Sequence, residues 1–236
     1  MKPSEWIALA SILAGLVGAV VSLAWQTWAK RRDDKRAGQL ERLNRQLSEL
    51  YGPLYALYEA GERNWMLFVV HFSHDTRPLA ERTFLPSGTD TFPPPDADCM
   101  AEYRRRMEQL FMPTNTAMES ALAQHADLLV GKRMPDEFSD FLAHVAAAKL
   151  LMHRWQKDPA FNLDLWQQYR MEYPHPQWLK HRIRASFEVL KSAQQQLLTG
   201  TLDLIDEEEL EEQITAQMPG LDKQWHQAGP AYATRF

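Results

Sequence analysis

Cysteine is nearly absent. Cys99 alone stands in 236 residues, which excludes an intramolecular disulfide and suits a reducing compartment. Also missing are the short motifs that mark common catalysts. There is no Gly-x-x-x-x-Gly-Lys-Ser/Thr, no Gly-x-Gly-x-x-Gly, no Gly-x-Ser-x-Gly and no His-Glu-x-x-His. Phosphate cradles, dinucleotide folds, hydrolase elbows and zinc-protease helices therefore have no support in the sequence. Runs of alternating β-branched residues are absent, and no segment repeats at a period of about 20–50 residues, so neither a sheet nor a solenoid is expected. No basic stripe interleaved with aromatics is seen, and no nucleic-acid partner is expected. The net charge of −5 is mild, but cations gather just after residue 29 and carboxylates between Asp203 and Glu212.

Ionisable side chains are missing altogether from Trp6 to Ala29. At about 1.5 Å per residue such a run makes a helix of roughly 36 Å, enough to cross a hydrocarbon core of about 30 Å. Trp6 at one end and Trp25 and Trp28 at the other fit the interfacial positions that indoles prefer. Lys30, Arg31, Arg32, Lys35 and Arg36 follow at once and form a candidate lipid-surface block. These features predict a single-pass protein of a bacterial inner membrane, N-terminus outside and body cytosolic, with membrane lipid as a partner. Ser22-Leu23-Ala24 resembles a signal-peptide cleavage site, but the apolar run is too long and the following cations act as a stop. Ala8, Ser11, Gly15, Gly18 and Ser22 form a stripe of small residues that predicts close helix pairing and a homo-oligomer.

Beyond the apolar run the pattern is helical. Leu40, Leu43, Leu47, Leu50, Leu54 and Leu57 alternate three and four apart, which suits a coiled coil or, by preference, one helix of a bundle. Pro53 predicts a kink or break within it. Pro113 interrupts a second helical pattern from about Met100 to Val130, and Thr116 to Glu119 reads as a capping box for a fresh start. Phe138, Phe141, Val145, Ala148, Met152 and Trp155 define a buried helix. Leu179, Ile183, Phe187, Leu190 and Leu197 define another, with Lys180, Arg182, Arg184 and Lys191 on its solvated side. A short helix around Leu204 to Met218 would close the pattern.

The expected fold is all-α, an N-terminal transmembrane helix followed by a four- or five-helix cytosolic bundle. Its segments are residues 1–29 (tail and span), 30–72 (juxtamembrane and first bundle helix), 73–98 (loop), 99–200 (bundle) and 201–236 (acidic, partly disordered tail). Eight histidines invite a metal reading. His71 and His74 with Asp75 are too few ligands and fall where a helix ends. His125 with Asp127, and His144 with Lys149 and His153, flank apolar faces, where packing is the commoner role. No pair of Glu-x-x-His motifs supplies a di-metal site, and Cys99 follows an acidic stretch that disfavours a thiolate. No metal or cofactor is therefore expected.

Leu50-Tyr51-Gly52-Pro53-Leu54, Phe111-Met112-Pro113-Thr114-Asn115, His125-Ala126-Asp127-Leu128 and Ala143-His144-Val145-Ala146 occur in an order that resembles a group of uncharacterised bacterial membrane-anchored helical proteins. The resemblance covers roughly Leu47 to Leu198. It implies an all-helical cytosolic body and no activity. The expected function is that of a membrane-anchored, self-associating interaction or scaffold protein with an unknown protein partner, and not an enzyme. Two alternatives are a tethered metal-binding or enzymatic module built on a polar cluster of His125, Asp127 and His144, and a lipid- or effector-sensing component.

Overall fold

The structure, a computed structural model, describes residues 3–72, 97–158, 176, 178–202 and 204–218; within these, the side chains of 3–14, 69–72 and 97–100 lie outside the description. The described chain is all-α. Helix α1 (Pro3–Arg45) passes through a π turn (Gln46–Tyr51) directly into α2 (Gly52–Phe72). Helix α3 (Ala97–Arg106) passes likewise through a π turn (Met107–Phe111) into α4 (Met112–Gln124). A 3-10 turn (Ala126–Leu128) leads to α5 (Asp136–Lys157), followed by α6 (Leu179–Thr199) and α7 (Glu207–Gln217).

Neither proline breaks its helix. A proline removes one N–H and crowds the turn before it, and here that turn widens to admit one extra residue. The Gly52 N–H reaches back to the Leu47 carbonyl, and Pro53 follows in α2. The Met112 N–H reaches the Met107 carbonyl in the same way, and Pro113 follows in α4. The expected kink at Pro53 and fresh start at Thr116 are both replaced by a π turn with helix on either side. Only glycine suits position 52, because a Cβ there would fall inside contact distance of the Leu47 carbonyl oxygen.

The leucine seam is spent inside the bundle. Leu43, Leu50 and Leu54 are buried, and Leu40, Leu47 and Leu57 pack at the margin of the same core. This makes 40–57 a bundle helix, with no need of a coiled-coil partner. Around it lie Leu122 of α4, Phe138, Phe141, Val145 and Leu151 of α5, and Leu179, Ile183, Leu190 and Leu197 of α6. The α2–α6 contact is tied by Glu59 to Arg184 and by Glu62 to Lys180, and Tyr55 stacks on Phe187 with centroids 4.7 Å apart. Trp65, Phe68, Tyr103, Phe111 and Trp155 join α2, α3 and α5 through ring contacts of 5.6 to 6.4 Å. Glu102 accepts from Arg105 at 2.7 Å and Arg106 at 2.6 Å, and those hydrogen bonds pull its carboxyl down to about 2.

Two expectations need correction. Among the described residues no helix is long and apolar enough to cross a membrane. Helix α1 is charged from Lys30 onward and continues unbroken into the bundle. The membrane span, the single-pass topology, the inner-membrane location and the membrane-lipid partner are withdrawn with it. Within the cationic block Lys30, Arg31 and Lys35 are exposed, whereas two members make contacts inside the chain. Arg36 donates to the Leu197 carbonyl at the C-terminus of α6, where a cation complements the helix dipole, and Arg32 lies 5.6 Å over the Trp28 ring. The second correction is Arg182, expected in solvent but only 3% exposed. The expected loop falls almost wholly on residues 73–96, outside the described residues, as do 159–175 and everything after Met218.

Candidate functional site

The first π turn supplies two buried polar side chains to the connection between α4 and α5. Gln46 donates its Nε2 to the Leu128 carbonyl at 3.1 Å, and the Val130 N–H donates to the Tyr51 hydroxyl at 3.0 Å. Burial pushes the Tyr51 phenol up to about 12, against the opposing effects of the Val130 hydrogen bond and the nearby Arg182 guanidinium. Gly131 then turns the chain with φ 89°, a left-handed angle that glycine adopts without strain. A Cβ built there would meet the Glu211 carboxylate at 3.6 Å.

A titration follows from that burial. Below pH 10 the Tyr51 phenol is neutral in folded and unfolded chain alike; between 10 and about 12 only the unfolded chain ionises, so its contribution to stability is lost as pH rises through that window. Tyr58, raised by burial beside Glu62, behaves alike. Both are expected to ionise only well above pH 10 when tyrosinate absorbance is followed. Tyr51→Phe should cost about 1–2 kcal/mol in chemical denaturation by orphaning the Val130 N–H; a neutral effect would deny that bond.

Helix α7 arrives on the same place. The Gln39 side chain donates to the Ile205 carbonyl at 2.7 Å and accepts from the Ile205 N–H at 3.2 Å, which fixes the entry. Asp206 caps the helix by accepting from the Glu208 N–H, and Glu207, Glu208 and Glu209 sit where the positive end of the helix dipole favours them. Three carboxylates then meet cations from three different elements. Glu207 pairs with Arg42 of α1, Glu208 with Lys132 of the connection, and Glu211 with Arg182 of α6 at 2.6 Å. Leu210, Ile214 and Met218 are buried beneath. Arg182 keeps its Nε without a hydrogen-bond partner, and Ser186, one turn further along α6, is fully buried with its Oγ in the same condition.

The histidine–aspartate cluster does not form. His125 turns its Nδ1 to Glu49 at 3.5 Å and Asp127 faces Arg45 at 3.8 Å, so each is directed to a partner on the π turn or α1. His144 sits on α5, half-buried. Among the described residues no group of three or more His, Cys, Asp or Glu is placed to hold a metal. The metal-site reading is corrected on that geometry; His74, Asp75 and the side chains of His71 and Cys99 lie outside the described residues.

Comparison with protein-family models, with characterised proteins and with solved structures finds no match. The resemblance to a bacterial membrane-anchored group is overturned by that result. What it implied about helical content stands on the helices themselves.

The remaining surface of note is α1 before it joins the bundle. Leu16, Val17, Val20, Val21, Leu23, Trp25 and Trp28 are 51% to 67% exposed. Trp25 and Trp28 lie beside each other, 5.2 Å between centroids. A Cβ added at Gly15 or Gly18 would meet nothing within 4 Å, and Ser22 is approached by Gln26 of its own helix at 3.4 Å. Trp6, Ala8 and Ser11 belong to the side chains outside the description. An open groove of about 430 Å³ between α1 and α6 is lined by Asn44, Leu47, Ser48, Phe187, Lys191 and Gln194. Along it Gln194 donates to Asn44 at 2.6 Å and Lys191 lies over the Phe187 ring at 5.6 Å.

Proposed function

We propose that this chain is a non-catalytic helical interaction module whose bundle holds α1 out as a rod, and that a second copy packs along the exposed apolar length of that rod. The observation that carries the reading is the row of seven large apolar side chains from Leu16 to Trp28, each at least half exposed. Contiguous apolar surface of that extent is unusual on a chain that works alone. Burying about 300–400 Å² of it on each copy would contribute about 15–20 kcal/mol toward association, at roughly 25 cal/mol per Å² and before the entropy of pairing and side-chain ordering is subtracted. The open positions at Gly15 and Gly18 allow two helix backbones to come close. A parallel pairing also places Lys30, Arg31 and Arg32 of one copy within a turn of Asp33 and Asp34 of the other, which complements the charges.

Sedimentation of the full chain tests this. The wild type is expected to be dimeric, and Val17→Lys with Val21→Lys monomeric, with thermal unfolding of the bundle unchanged because both valines are 62% exposed. A wild type that stays monomeric over a broad concentration range, or that enters phospholipid vesicles as a monomer, would overturn the reading.

A further inference from the structure

We infer that one water molecule is a fixed part of this fold, bound between Arg182 and Ser186 of α6 and the hydroxyl of Tyr51 in the first π turn. The site is separate from the α1 pairing proposed above and does not depend on it. Two orphaned atoms define it. Arg182 and Ser186 are both buried, and the Arg182 Nε and the Ser186 Oγ each lack a hydrogen-bond partner among the described residues. Each group gives up its hydration on folding and receives nothing from the chain in return, so two of them on one helix face call for a ligand. They stand one turn apart on the side of α6 that also buries Leu179, Ile183 and Leu190. Neither reaches the other directly, so whatever joins them spans more than a single hydrogen bond.

Tyr51 is the third group. Its oxygen accepts from the Val130 N–H at 3.0 Å, and burial keeps the phenol protonated up to about 12, so a hydroxyl proton is present that still needs an acceptor. The π turn meets α6 at this level: a Cβ at Gly52 would stand 4.0 Å from the ring of Phe187, the neighbour of Ser186, and the Arg182 charge acts on the Tyr51 phenol. The count of donors and acceptors then selects the ligand. The Nε–H and the phenol O–H both require an acceptor, whereas the serine hydroxyl can accept or donate. Water accepts from the first two and donates to the third, and about three bonds are usual for an internal water. An anion would also accept from both donors, but Arg182 is already balanced by Glu211 at 2.6 Å, so a second negative charge would be buried without a counterion. A metal cation is ruled out by the two donors and the guanidinium charge.

NMR of the full chain labelled with nitrogen-15 tests this. The Arg182 Nε–H resonance, identified by its loss in the Arg182→Met, Glu211→Leu double variant, is expected to show a through-space cross-peak to a long-lived water. Oxygen-17 relaxation of the solvent, which no hydroxyl proton can imitate, is expected to count one long-lived water fewer in Ser186→Ala than in the wild type. A wild-type Nε–H without contact to water, or equal oxygen-17 counts in the two proteins, would overturn the site; the serine hydroxyl would then be turned back to the Arg182 carbonyl one turn earlier. Should Ser186→Ala fail to fold, Tyr51→Phe takes its place: loss of one water supports the site, and an unchanged count overturns it.

Discussion

Replacing Gly52 with alanine is expected to lower the free energy of unfolding by about 2 kcal/mol, whereas Gly38→Ala should raise it by about 0.5–1 kcal/mol. Both glycines are helical, and intrinsic propensity favours alanine at each. The difference is steric. A Cβ at Gly38 meets nothing within 4 Å, but at Gly52 it collides with the Leu47 carbonyl, a backbone atom that cannot swing away. That carbonyl is also the acceptor for the Gly52 N–H that closes the π turn, so relieving the clash means losing the hydrogen bond or shifting Gln46 and Tyr51. Chemical denaturation of the two variants reads the effect directly. Equal gains at both positions would show that the widened turn is not what the sequence at 52 protects.

Glu211→Gln is expected to cost about 2 kcal/mol. Breaking a fully buried ion pair costs roughly 3–5 kcal/mol because the abandoned charge stays in a low-dielectric site. Glu211 is 34% exposed while Arg182 is 3% exposed, so water screens part of the loss. The double variant Arg182→Met with Glu211→Leu should recover most of the stability, since it removes the buried charge along with its partner. Glu208→Gln serves as the control: its pair with Lys132 lies at the surface, with side chains 63% and 85% exposed, and little change is expected. A single-variant loss that the double variant fails to restore would place the effect in packing of α7 instead.

How far the sequence could be read depends on which physical signal each feature leaves. The core of α5 and α6 was legible from period alone: Phe138, Phe141, Val145, Ile183 and Leu190 fall where three–four spacing puts them, and all are buried. Arg182 was not, since a cation is assigned to solvent by type. Its place between Leu179 and Ser186, on the buried side of the same helix, is the clue that its residue type concealed. The π turns were illegible for a related reason. Proline signals local strain, but whether a helix breaks or widens depends on what packs around it, and Leu50, Tyr51 and Met112 are held on all sides by the bundle. The polar site was misplaced because histidines attract attention, while Gln46 and Glu211, the residues that fasten the α4–α5 connection and α7, carry no motif. Trp6 to Ala29 shows the limit of reading composition alone: an uncharged run suggested a membrane, but no helix among the described residues is long and apolar enough to cross one.

The paired arrangement at Gly52-Pro53 and Met112-Pro113 fixes more than local geometry. A single surplus residue in a helix is able to creep along it one step at a time, each step turning the segment behind it by about 100° relative to the segment ahead. Proline forbids the step, because with no N–H to hand on, the bulge has nowhere downstream to go. The widened turn is thereby kept from passing into α2 and stays at the junction from which α1 leaves the bundle.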